Sequence, residues 1–245
     1  MDLITIITPY FKKKKFIKES ILSVLNQTYK NFEIIIVYDD INKDDLSYIY
    51  EIKNLDKRIN LIINQKNMGA GLSRNIAIKS ALGNYIAFLD ADDIWHPNKI
   101  ENQLEFMKTN NLHISHTSYQ IVNNKNIKSK RIARNFYEVK DLLKSCDIGL
   151  STVLLKKEIL SDDCSFAKTR TKEDFVLWLK ILKNNYKIVG LDKILTDWRE
   201  LENSLSSSKF QKLIDGFNVY YKYMNFSFFK SIYYLLCLSI NYLKK

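Results

Sequence analysis

GNYIAFLDADDIW, residues 83–95, decides the fold. A short apolar run, Tyr85-Ile86-Ala87-Phe88-Leu89, opens after Gly83-Asn84 and stops at Asp90, Asp92 and Asp93. An unbroken apolar run of this length predicts a strand buried on both faces of a parallel sheet. In open α/β sheets ligands bind beyond the carboxyl ends of the strands, and the acids fall at such an end. Hard cations such as Mg2+ or Mn2+ take oxygen ligands, often one or two carboxylates together with substrate phosphates. The local string fits equally well an acidic turn that caps the next helix.

Upstream, the same punctuation recurs. Leu3 to Thr8 reads as a first buried strand, and Ile17, Ile21, Val24 and Leu25 keep helical spacing up to Asn26. Phe32 to Tyr38 is a second strand that ends at Asp39-Asp40, residues 46–55 a polar helix, and Ile59 to Ile63 a third strand. Asn67-Met68-Gly69-Ala70-Gly71 is a glycine-bearing turn before a helix over 72–82. This alternation predicts an α/β fold, a doubly wound sheet with right-handed crossovers, in which residues 1–93 form a nucleotide-binding half.

Downstream the pattern loosens into a mixed α+β half over 94–208. Residues 94–110 read as helix, and His113 to Asn123 alternate like an edge strand. Phe175, Trp178, Leu179 and Leu182 predict a helix over 173–184 with Glu173 and Asp174 in its first turn. After Ser204–Ser208, residues 209–245 form an aromatic, helical tail with lysines at 222, 230, 244 and 245.

A chain of 245 residues with 46% hydrophobic composition is long enough for one large α/β domain or two closely joined halves, and 6 Gly and 2 Pro exclude collagen-like or linker composition. Cys146, Cys164 and Cys237 lack C-x-x-C spacing, so reduced thiols are expected, not a zinc knuckle or a disulfide framework. The first residues, MDLITIITPY, read as a strand and not a signal peptide, which fits a cytoplasmic protein. A net charge of +11 predicts attraction to something anionic. No nucleic-acid module is present, so no nucleic-acid partner is expected, and Lys12–Lys15 reads as a solvated face.

In a parallel sheet Asp39-Asp40 and Asp90, Asp92 and Asp93 open on one edge, where they repel one another unless a cation or hydrogen bonds offset the charge. Arg74, after the glycine turn, is placed to pair with phosphate at the same opening. His113 and His116 are expected on opposite faces of their strand, and His96 in the WHPNK turn; all three read as structural.

Four ordered blocks carry a resemblance: ITPYFKKKKFIKESILSVLNQTYKNFEIIIVYDD (7–40), NMGAGLSRNIAIKSALGNYIAFLDADDIWHPNKIE (67–101), TKEDFVLWLKIL (171–182) and WRELENSLSSSK (198–209). Together they resemble family 2 glycosyltransferases of the GT-A fold, the bacterial group that builds capsule, lipopolysaccharide and teichuronic acid glycans. The resemblance implies inverting transfer of a hexosyl or N-acetylhexosaminyl group from a nucleotide-sugar donor, UDP-linked, to a hydroxyl of a glycan or lipid-linked acceptor, with Mg2+ or Mn2+ as cofactor. It implies that Thr8, Pro9, Tyr10, Asp39 and Asp40 hold uracil and ribose, with Asp40 favoured for the base. Arg74 would bind near the nucleotide, Asp90 and Ala91 would belong to the diphosphate station, and Asp92 and Asp93 would meet the metal. Asp174 would be the catalytic base beside Glu173, kept ionised by the dipole of its helix. Leu201 stands where many relatives carry a histidine, leaving Arg199 to serve the diphosphate. The rival reading is a non-catalytic nucleotide-sugar-binding subunit of a glycan assembly complex.

The segment FSFFKSIYYLLCLSINYL (226–243) approaches the minimum length of a membrane span, but Lys230, Asn241 and its serines oppose that. It is expected instead as an amphipathic helix on the anionic cytoplasmic face of the inner membrane.

Overall fold

The computed structural model describes residues 2–123, 126–201 and 209–243. In chain order they form β1 (Ile4–Tyr10), α1 (Lys14–Leu25), β2 (Phe32–Tyr38), α2 (Leu46–Lys53), β3 (Ile59–Ile63), α3 (Ala70–Ser80), β4 (Tyr85–Phe88) and β5 (Ile94–Trp95). Then come α4 (Lys99–Thr109), β6 (Ile114–Asn123), β7 (Asn126–Arg131), α5 (Val139–Leu142), β8 (Leu154–Lys156), α6 (Glu173–Lys183), β9 (Val189–Arg199), α7 (Lys209–Asn218) and α8 (Phe228–Leu243).

The strands make one mixed sheet in the order β3-β2-β1-β4-β8-β6-β9-β5, with β7 added on β6. Its first four strands are parallel, and β8 runs antiparallel to both β4 and β6. The period of two along each strand sorts apolar side chains onto two faces. Ile7, Ile35, Val37, Ile86 and Phe88 pack with α3 and α6, while Ile6, Ile34, Ile36, Ala87 and Leu89 pack with α1, α2 and α4. Both faces are covered by helices, which is why these strands read as continuous apolar runs.

Two expectations need correction. The helix expected from Ile94 begins only at Lys99, and Ile94–Trp95 pairs antiparallel with β9. Pro97 is the reason, since the residue before a proline is driven out of helical conformation. The stretch expected as an edge strand, His113–Asn123, contributes β6 to the sheet interior, between β8 and β9. Its polar positions imitate a solvent face, yet Ser115, His116, Thr117 and Ser118 are buried. Most of that cost is offset by bonds such as Gln103 Nε2 to Ser115 Oγ (3.0 Å), Ser118 Oγ to Asp192 Oδ1 (2.8 Å) and the His116 ring to the Arg134 carbonyl (2.7 Å).

The helical tail is built of two helices, joined by a π turn over Val219–Tyr223 and by Asn225 at φ 54°. Val219, Tyr220, Met224 and Leu238 share the core of the α6 face. The Ser204–Ser208 connection, Lys244 and Lys245 lie outside the described residues. No helix among the described residues is long and apolar enough to cross a membrane.

Candidate active site

Parallel register places Ile7 beside both Ile35 and Phe88, so the acids that follow β2 and β4 emerge on the same edge as the end of β1. Asp39 is spent on shaping that edge. Its carboxylate accepts from Asn64 Nδ2 (2.7 Å), Met68 N (2.7 Å) and Gly69 N (2.8 Å), and so pins the turn in which Gly69 takes φ 82°. Asp40 differs: Oδ1 accepts from Asn42 N, while Oδ2 is buried with no hydrogen-bond partner among the described residues. Thr8 Oγ1 is orphaned in the same way. Tyr10 is fully buried, stacked on Tyr38 and donating to Asp45 Oδ2 (2.7 Å); Pro9 is partly exposed.

A cleft of about 380 Å3 opens beside Asp39, between Phe11, the Asn67–Ala70 turn and the segment Lys168-Thr169-Arg170. The sequence reading singled out neither Phe11 nor the basic segment, which lies in an unpatterned stretch. A larger cleft of about 610 Å3, lined by Asp2, Tyr85 and Lys156 among others, is at the amino ends of β1 and β4, away from the acids.

Arg74 is 3% exposed and does not reach out toward a phosphate. Its fork donates through Nη2 to Asp90 Oδ1 (2.6 Å) and through Nη1 to Glu173 Oε1 (2.8 Å), with Phe166 under the guanidinium. One cation thus joins the end of β4 to the start of α6, 83 residues later in the chain. Gly71 makes the approach possible: a Cβ there would lie 2.9 Å from the Ala167 carbonyl and 3.0 Å from Glu173 Cγ. Gly71→Ala is therefore expected to push Glu173 off Arg74 and to cost about 1–3 kcal/mol in urea unfolding. An unchanged midpoint would show that the loop yields freely.

The triad after β4 is divided. Asp93 is 1% exposed and locked, accepting from Ser151 Oγ (2.5 Å) and from the Arg199 backbone N–H (3.0 Å). Ser151 Oγ in turn accepts from Asp90 N–H. Asp92 keeps some exposure and meets Lys13 Nζ at 2.7 Å. Lys13, expected on a solvated face with its neighbours, is instead drawn into the site by this carboxylate. The Arg199 guanidinium binds Glu19 at 2.7 Å over the Phe16 ring. Burial, reinforced by the neighbouring carboxylates, pushes Asp92 up and Asp93 well up from the usual carboxylate range.

Among the described residues no three or more His, Cys, Asp or Glu side chains form a ready metal cage. The residues present still fit a hard cation. Asp92, with Asp90 beside it, supplies the one or two oxygens that Mg2+ takes when phosphates complete its shell, and a cation would offset the crowded negative charge.

Asp174 accepts from its neighbour's Phe175 N–H (2.7 Å) at the start of α6, after Lys172 at φ 67°. Burial outweighs the Lys172 charge and the Phe175 N–H bond, so the Asp174 carboxyl is raised from the usual carboxylate range. Glu173 is pushed up to about 7, because its desolvation exceeds the attraction of Arg74. The segment before α6 is held from the tail: Thr171 donates its N–H and its hydroxyl to Asp215 Oδ2, both at 2.9 Å. His96 ties its turn to Asp197 (2.7 Å), in keeping with a structural role.

Residues 5–165 match the sequence profile of glycosyl transferase family 2. The chain is 40% identical over 212 residues to the UDP-Glc:alpha-D-GlcNAc-diphosphoundecaprenol beta-1,3-glucosyltransferase WfgD of Escherichia coli, covering 86% of this chain and 82% of that one. It is 30% identical over 245 residues to the putative teichuronic acid biosynthesis glycosyltransferase TuaG of Bacillus subtilis, covering 99% and 97%. S. aureus TarS 1–349 in complex with UDP-GlcNAc has the same fold, with a TM-score of 0.76 at 20% identity over 96% of this chain and 70% of that one. The mannosyltransferase PcManGT from Pyrobaculum calidifontis, in complex with GDP-Man and Mn2+, gives a TM-score of 0.71 at 13% identity over 95% and 69%. The architecture is the GT-A fold.

Proposed function

The chain belongs to glycosyl transferase family 2 and is a nucleotide-sugar glycosyltransferase, and from that premise we propose that it moves a hexose, glucose first among the candidates, from UDP to a hydroxyl of an undecaprenol-linked surface-glycan precursor, inverting the anomeric centre. The observation that carries this reading is the Arg74 bridge. It ties Asp90 after β4 to Glu173 beside Asp174 at the start of α6, and so supports a reading in which the diphosphate station and the base serve one transfer.

In this reading the base of the donor enters the cleft beside Asp39. Phe11 and Met68 offer apolar walls there, Lys168 and Arg170 offset phosphate charge, and the orphaned oxygen of Asp40 lies at the end of the neighbouring strand. Bound Mg2+ or Mn2+ would supply Lewis-acid stabilisation to the departing diphosphate. Asp92 and Asp90 would hold it, Lys13 releasing Asp92, while Asp93 keeps the loop in shape through Ser151 and Arg199. Asp174 takes the proton of the acceptor hydroxyl as that oxygen attacks the face opposite the leaving group.

The test is a panel of UDP-, GDP- and dTDP-hexoses with Mn2+, read by nucleotide release and thermal stabilisation. UDP-glucose is expected to lead, and equal turnover of GDP-sugars would overturn the nucleotide assignment. Asp92→Asn is expected to remove Mn2+-dependent UDP binding in calorimetry with melting unchanged. Asp93→Asn is expected to lower stability by about 1–3 kcal/mol, since an amide cannot accept at both ends. Equal Mn2+ affinity in Asp92→Asn and wild type would contradict the division of roles.

A further inference from the structure

We propose that the outward face of α7 and α8 is a docking surface for an anionic lipid bilayer. Among the described residues eighteen large apolar or aromatic side chains are exposed, and ten of them lie on these two helices and the turn between them. On α8, Phe229, Tyr233, Leu236 and Ile240 repeat at helical spacing on the outside, Phe229 being 83% exposed. Ser231, Leu235 and Leu238, two residues out of step with them, form the inner side. A shift of two residues is about 200° of rotation, so the helix is apolar on two opposite sides and only one is used by the fold. Phe210, Leu213 and Ile214 are likewise exposed on α7, which packs against α8.

The outward face is not a core surface waiting to turn in. Tyr220 Oη donates to the Leu143 carbonyl (2.6 Å), Asp215 holds Thr171, and Asn241 Nδ2 donates to the Lys144 carbonyl (2.9 Å), which fixes both helices by their inner sides. Charge selects the occupant. Residues 209–245 contain six lysines and one acid, Asp215, which is buried and already bound. Lys212, Lys222 and Lys230 lie over the rings of Tyr242, Tyr223 and Phe226 at 5.3, 5.6 and 4.0 Å. Cationic heads beside aromatic rings are the arrangement by which a helix enters an interface while its charges meet anionic headgroups. A second copy of the chain would bring lysine against lysine with no acid to answer them. The sixteen residues of α8 reach about 24 Å, less than the hydrocarbon thickness, so the helix lies along the surface and does not span it.

The inference is independent of donor and acceptor identity, and its test keeps the two apart. The full chain is sedimented with vesicles of phosphatidylcholine alone or mixed with phosphatidylglycerol, alongside F229S/L236S/I240S and K212Q/K222Q/K230Q. Wild type is expected to bind the anionic vesicles, less so at high salt, and each triple variant to lose at least tenfold in partitioning with melting and UDP binding retained. Wild type left in the supernatant, or equal partitioning by the apolar triple variant, would overturn the proposal. So would a concentration-dependent dimer in vesicle-free sedimentation equilibrium that this variant abolishes, which would assign the face to a second copy. Truncating the tail would not serve, because Tyr220 and Leu238 belong to the core.

Discussion

Asp174→Asn lowers turnover by roughly 10²–10⁴-fold and leaves UDP binding nearly intact, the effect expected when a positioned base is lost and nothing else. Asparagine keeps the shape and can still accept from the Phe175 N–H, so the start of α6 holds. Folding stability is expected to stay level or rise. The Asp174 carboxyl is raised by burial, and the sign follows from that: between the unfolded and the folded pKa the native state holds more protons. Its contribution to stability is full below the unfolded pKa and is lost as pH rises through the folded one. Activity runs the other way, because only the ionised carboxylate accepts a proton. With Glu173 pushed up to about 7 beside it, the acid limb of kcat/KM is expected above the usual carboxylate range and to report the pair, not one residue. The Asn variant should keep only the part of that limb that Glu173 contributes. Wild-type-like transfer by Asp174→Asn would remove the base assignment.

Arg74→Met is expected to cost about 3–5 kcal/mol in urea unfolding, the range for removing one partner of a buried ion pair. It should abolish transfer as well. The guanidinium holds two carboxylates from distant segments, and its loss leaves Glu173 buried without a partner while β4 and α6 lose their tie. Glu173 can relieve part of this by taking up a proton, so stability should be recovered best at low pH. Adding Glu173→Gln should restore part of the stability and none of the activity, because Asp90 is 32% exposed at its side chain and can be hydrated. Arg74→Lys is expected to fall between, since one ammonium replaces a fork. A variant that melts with wild type and turns over normally would mean that the bridge is incidental.

The parallel half was legible because its signals are local. The apolar runs at 3–8, 32–38 and 85–89, the last two ending in acidic turns, announce buried strands whatever the rest of the chain does. The second half was harder for a physical reason: β6 buries Ser115, Ser118 and His116, whose partners are Gln103, Asp192 and Arg134, and no periodicity reveals a hydrogen bond to a distant segment. Ser151 and Lys13 were missed for the same cause. Each is an ordinary residue made important by what folding brings to it.

The amino-acid sequence by itself determined the α/β class, the order of strands and helices in the parallel half, the edge on which the acids gather, and the family. These follow from burial patterns and turn chemistry that act over a few residues. Only the tertiary structure decided that Arg74 is a bridge between Asp90 and Glu173, that Asp93 is locked by Ser151 and Arg199 while Asp92 pairs with Lys13, and that burial raises Asp174. It alone also separated the inner side of α8 from the outer. Each of these depends on how much water reaches a polar or apolar group and which distant partner replaces it, and the chain sets both only when it closes on itself.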